Sequence, residues 1–195
     1  MTTPIDPNKV LLVGENSFIR LFDKQGGKEI TRASHWRILY SPAGPGHALF
    51  LTSNNLTEGN ARIYSDNLAM ARWLQDDMES MFYPPFADKN IPVADADFDK
   101  SGNAFTWWTE TLESVTDSIT LTWSGLASES MMARVGPNER PNRPLGLYSC
   151  FTPAAEGRVE LNGNFADGKA YPEKLGNATI SSASLAWGDS WTIPR

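Results

Sequence analysis

The sequence predicts a mainly β fold: an antiparallel barrel of about eight to ten strands with one main α-helix over about residues 66–82, in a single domain spanning 1–195. Three observations point there. Short runs with period-two alternation follow one another through turn signals along nearly the whole chain. Only one segment has helical periodicity. Ser, Thr, Asn, Gly and Pro take the share that Ala, Leu, Glu and Lys would hold in a helical protein. Strands joined by turns pair antiparallel, and closing such a sheet removes its exposed edges.

Val10 to Phe22 reads as one or two short strands interrupted at Gly14, and Gln25-Gly26-Gly27-Lys28 as a turn. From Ile30 to Tyr40, alternation sets Trp36, Ile38 and Tyr40 against Ala33, His35, Arg37 and Leu39. Both faces are partly apolar, which suits a strand covered on one side and lining something on the other. Ser41 to Gly46 is a loop, and Ala48–Thr52 and Ala61–Tyr64 are strands. Leu68, Ala71, Leu74, Met78 and Met81 then form one apolar helical stripe. Ser65 or Asp66 is its expected N-cap, Pro84-Pro85 its stop, and Asp76, Asp77 and Glu79 its solvated face. The stripe is expected to plug one end of the barrel or to pack on its outside.

Asp99 to Asn103 reads as a hairpin loop before a strand from Ala104 to Leu112. That strand puts Trp107 and Trp108 on opposite faces. Ser118 to Trp123 alternates most cleanly, with Ile119, Leu121 and Trp123 on one side. Gly136 to Pro144 is a polar loop, and Leu145 to Phe151 a strand. Arg158 to Leu161 leads into Asn162-Gly163, the pair preferred in a tight type I′ turn. A last strand spans Ile180 to Ile193, with a bulge at Gly188.

Composition excludes several function classes. Net charge is −6, and no two of the 17 basic residues are adjacent. Phosphate-backbone binding needs clustered Lys and Arg, so nucleic acid and anionic membrane surfaces are not expected partners. Cys150 is the one cysteine, so no internal disulfide forms, and the first residues read as no signal peptide. A cytoplasmic protein is expected, with a homo-oligomer open. No cofactor is expected either. Neither the Walker pattern, the dinucleotide glycine fingerprint nor a serine elbow is present. Asp97-Phe98-Asp99-Lys100-Ser101-Gly102 begins like a calcium loop, but position twelve is Trp108 where a bidentate glutamate is needed. His35 and His47 are the only histidines, and nothing in their spacing demands a metal.

What stands out is aromatic content. Trp36, Trp107, Trp108, Trp123, Trp187 and Trp191 fall on predicted strands and Trp73 on the helix. Rings inside a barrel either fill it or line a pocket for an apolar or aromatic ligand. Trp36, Arg37, Trp107, Trp108, Trp123 and Tyr148 are the candidate ligand-binding residues. An acid or base in such a pocket gains a shifted pKa from desolvation. Glu110 beside Trp108 is the first candidate and His35 beside Trp36 the second, with Tyr40 and Tyr64 to support developing charge. Arg140 and Arg143 in the proline-rich loop are placed to clamp a carboxylate.

The order of antiparallel strands, one helix and an aromatic interior resembles the lipocalin-like, or calycin, barrels. The nearest equivalent of their Gly-x-Trp is Ser34-His35-Trp36, with serine for glycine. Some intracellular proteins of that shape are cofactor-independent hydratases, isomerases or cyclases of hydrophobic substrates. The resemblance thus implies a lyase or isomerase working by acid/base chemistry on a hydrophobic ligand. A non-catalytic carrier with the same pocket, and a fully packed barrel serving a protein partner, stay open beside it.

Overall fold

The computed structural model describes residues 5–135, 146–175 and 178–194. Nine strands close into a barrel. In order around it stand β9 (Gly146–Leu161), β13 (Ala183–Pro194), β1 (Ile5–Phe22), β2 (Glu29–Tyr40), β3 (Gly46–Ser53), β4 (Arg62–Ser65), β5 (Val93–Asn103), β6 (Trp107–Ser114) and β7 (Ser118–Leu126). β7 then pairs back onto β9. Four further short strands lie outside the ring among the described residues. β8 (Met131–Val135) and β10 (Asn164–Phe165) pair with β9, while β11 (Pro172–Leu175) and β12 (Ala178–Ser181) form a separate hairpin.

Eight of the nine ring contacts are antiparallel, as expected, but β4 and β5 run parallel. The helix between them is the reason: parallel neighbours need a crossover connection, and here the helix supplies it. An eight-stranded up-and-down barrel has no such pair.

Alternation divides the apolar side chains into two layers. Ile19, Leu21, Ala33, Leu49, Leu51, Leu112, Ile119, Leu121, Trp123, Val159 and Leu185 come from strands all round the ring and fill its centre. Leu12, Trp36, Ile38, Phe50, Ile63, Phe151 and Trp191 face outward, from one side of the barrel only, and the helix packs on them. β2 and β3 are therefore buried on both faces, which explains the two half-apolar faces of β2. Trp36 belongs to the outer layer and Trp123 to the filled centre, where its Nε1 donates to the Phe18 carbonyl at 3.0 Å.

The helix begins as α1 (Leu68–Leu74), passes through a π-helical turn over Gln75–Glu79 and ends as α2 (Ser80–Phe82). Its N-cap is Asn67, whose side chain accepts from the Met70 N–H. Ser65 and Asp66 are engaged elsewhere: Ser65 Oγ donates to the His47 carbonyl, and Asp66 Oδ1 accepts from the His47 N–H. Met70, Ala71, Leu74 and Met78 are fully buried against the barrel wall, while Leu68 is exposed. Each buried Leu or Met side chain stabilises the docked helix by about 1.5–3 kcal/mol.

Several boundaries differ from expectation. β1 is one strand, and Gly14 marks only a register shift within it. Asp99–Asn103 is strand, not loop. The turn falls at Ala104–Thr106, where Asn103 Oδ1 accepts from the N–H groups of Phe105 and Thr106. The last strand is split at Ser182, where Ser184 Oγ accepts from the Ser181 N–H and donates to the Ser181 carbonyl, while Ser181 Oγ accepts from the Ala183 N–H. Asn162 (φ 51°) and Gly163 (φ 80°) form the turn before β10 with both central residues left-handed, as a type I′ turn requires. The Gly188 bulge is present, with a register shift between Trp187 and Ser190. One extra residue inverts the alternation, so Trp187 packs with the barrel centre and Trp191, four residues on, with the outer layer.

Candidate functional site

Two polar clusters are candidates, one at the mouth of the barrel and one beneath the helix. The first gathers four residues singled out from sequence: His35, Arg37, Trp108 and Glu110. All point inward. The His35 ring lies 6.4 Å from that of His47 and 5.8 Å from that of Phe98. Arg37 pairs with Glu15 at 2.5 Å. Trp108 Nε1 donates to Glu110 Oε1 at 2.7 Å, its ring meets Trp187 edge-on at 5.4 Å, and Lys100 sits over it. Burial raises the Glu110 carboxyl, against the Trp108 hydrogen bond and the charges of Lys100 and Arg37. His35 is pushed down to about 3, first by burial, then by His47, Arg37 and Lys100. Its Nε2 and the Arg37 Nε have no partner among the described residues. The two histidines meet, yet no group of three or more metal-ligating side chains forms among the described residues.

The remaining expected residues lie elsewhere. Tyr64 points to the opposite end of the barrel, where its hydroxyl donates to Asp117 at 2.8 Å and burial pushes its pKa up to about 12. Tyr40 is 55% and Trp107 42% exposed, because both stand at strand ends beyond the covered part of the sheet. Trp123 is core, with no ligand-facing surface. Tyr148 is half-buried on the face of β9 opposite Leu147 and Phe151. Arg140 and Arg143 fall outside the described residues.

The second cluster was not foreseen, and it borders a cavity. Between the barrel wall, α2 and the β11–β12 hairpin lies a space of about 360 Å³. β1 and β2 give it Asn16, Phe18, Arg20, Arg32 and Ser34. β9 and β13 give Leu147, Phe151 and Trp191, the helix gives Met81 and Phe82, and the hairpin gives Glu173, Lys174, Leu175 and Ile180. This is an apolar chamber with a few polar groups, the usual make-up of a small-molecule site. A larger space of about 550 Å³ beside β9 and β10 is lined mostly by small or solvent-exposed side chains such as Ala155, Glu156, Arg158 and Lys169, and holds no buried functional group.

Behind the chamber's polar floor stand two buried carboxyls. Glu79, on the π turn, has no exposed surface. Its Oε1 accepts from Ser34 Oγ and from Trp36 Nε1, both at 2.5 Å. Its Oε2 has no partner among the described residues. Burial raises its pKa, opposed by those two hydrogen bonds. The wide i→i+5 turn explains why Glu79 is not on the solvated face with Asp76: each added residue lags the side chains round the axis and swings Glu79 inward. Asp189 follows the Gly188 bulge. It accepts from the Asn16 N–H at 3.0 Å and from Ser149 Oγ, and burial pushes it up to about 7. Asn16 links the two acids, since its Nδ2 donates to Ser34 Oγ at 2.9 Å. Trp191 Nε1, on the chamber wall, has no partner among the described residues.

Compared with known proteins, the chain matches no family model, no curated sequence and no solved structure.

Proposed function

We propose that this protein binds an apolar or aromatic small molecule in the chamber between barrel wall and helix, and moves a proton on it without a cofactor. The observation that carries this reading is the Ser34 hydroxyl. It lines the chamber and at the same time donates to the buried Glu79 carboxyl. A substrate C–H beside Ser34 gives its proton to Oγ as the Oγ proton passes to Glu79. Return of that proton to another carbon isomerises the substrate; loss of a leaving group makes the reaction an elimination. A carboxyl raised toward working pH serves as base in one direction and acid in the other. Asn16 and Trp36 hold the pair in register, and Phe18, Phe82 and Phe151 exclude water.

The test uses aryl ketones and unsaturated carbonyl compounds in D₂O, with deuterium uptake read by proton NMR. The expected result is uptake by wild type, lowered about a hundredfold or more in Glu79→Gln, with binding retained. Uptake unaltered in Glu79→Gln refutes the assignment. Ligand bound but recovered without exchange makes the protein a carrier. If Glu110→Gln or His35→Ala abolishes uptake and Glu79→Gln does not, the chemistry belongs at the barrel mouth. A lipocalin-like kinship rests on shape alone and brings no residue role with it. A cytoplasmic setting fits the single cysteine. No helix among the described residues is long and apolar enough to cross a membrane.

A further inference from the structure

We infer that the chamber's ligand is an amphipathic monoanion, an apolar ring or short chain bearing one carboxylate or similar group, with the anion seated on Arg20 and Arg32. The inference rests on the reading of the chamber just given and adds the headgroup. The outward rows of β1 and β2 run along the chamber wall in register: Arg20 opposite Arg32, Phe18 opposite Ser34, Asn16 opposite Trp36. Like charges directly opposite on neighbouring strands repel and cost stability. Here the two side chains are also drawn partly out of water, at 24% and 14% exposure. A guanidinium pair held this way at the mouth of an apolar space is the arrangement that binds an anion bridging both.

The counter-charges leave room for one. Glu29 engages Arg32 through Nε and Nη2, at 2.7 and 2.9 Å, and lies outside the lining. Glu173, from the hairpin, engages Nη2 of Arg20. Each guanidinium carries five N–H groups, so donors remain on both. The lining thus presents Arg20, Arg32 and Lys174 against Glu173, in a chain whose net charge is −6. A local excess of cations on an acidic protein concentrates anions at that place.

Depth sets the rest of the ligand. Rows two residues apart on a strand are separated by about 7 Å. Ser34 stands one row beyond the arginines, so the reacting carbon lies about that far from the headgroup, roughly the span of a six-membered ring. Phe82, Phe151 and Trp191 enclose the part beyond.

Two fluorescent probes with the same aromatic body separate headgroup from cavity: anilinonaphthalene sulfonate and its uncharged parent, phenylnaphthylamine. Each is titrated into wild type, Arg20→Met, Glu173→Gln and Phe151→Ala. The expected result is tenfold or more tighter binding of the anionic probe by wild type. Arg20→Met should bring that probe to the level of the neutral one, since charge-assisted bonds are the stronger kind. Glu173→Gln, by removing the competing carboxylate, should tighten the anionic probe several-fold and leave the neutral one unchanged. Equal affinities, unmoved by Arg20→Met and Glu173→Gln, overturn the headgroup while sparing the chamber. Failure of both probes to bind, or binding of both unmoved by Phe151→Ala, overturns the chamber as well.

Discussion

Glu79 and Asp189 are costly residues to bury, and each is tolerated because neighbours bond it while desolvation favours its neutral form. Asp189 makes this measurable. Its native pKa of about 7 lies above the ordinary 3.8, so the folded state holds a proton that the unfolded chain releases. Its contribution is fully favourable below pH 3.8, falls as pH rises, and levels off above pH 7. The loss is at most on the order of 4 kcal/mol. Asp189→Asn, which keeps an acceptor for Asn16, should raise the thermal midpoint at pH 8 and leave it nearly unchanged at pH 4. An unaltered slope between those values would show another group to be responsible. At the barrel mouth the sign reverses. His35, held near 3 against 6.5 in the unfolded chain, loses stability for the fold as pH falls below 6.5. His35→Phe should therefore gain more at pH 5 than at pH 8 in the same melts. Strict strand alternation put His35 and Arg37 on one shared face, and Trp108 and Glu110 on another, but left open which faces turn inward. The sequence missed Glu79 because simple helical spacing groups it with Asp76 and Asp77, and only tertiary packing reveals the π turn.

At the scale of elements, two irregularities shape the chamber. The π turn turns Glu79 inward, and the Gly188 bulge turns Trp191 outward. The bulge was legible, since a glycine within an aromatic strand has few other uses. The π turn had no comparable local mark, although Gln75 and Glu79 lie four apart. Gln75 is also fully buried, donating to the carbonyls of Phe86 and Asp88. The helix hangs on its cap as well as its packing. Asn67→Ala should cost about 1 kcal/mol in urea unfolding and weaken probe binding, because α2 forms one wall of the chamber. A loss of stability without any change in binding would mean that the helix start and the chamber are uncoupled.

For the whole molecule, the filled barrel centre is the rigid body and the outer layer carries the candidate function. Trp123→Ala should therefore cost about 3–5 kcal/mol in chemical denaturation, whereas Phe151→Ala, beside existing space, should cost less and act mainly on binding. Equal losses would deny this division. The sequence by itself determined the barrel class, most strand faces, the single helix, the Asn162-Gly163 turn and the Gly188 bulge, for these follow from alternation, periodicity and turn chemistry within a few neighbouring residues. Tertiary structure alone decided which side of a doubly apolar strand such as β2 faces the centre. It also decided that β4 and β5 run parallel, and that Ser34, Asn16 and Glu79 meet. Those outcomes depend on which distant segments compete for the same apolar surface, and such long-range packing leaves no mark in local spacing.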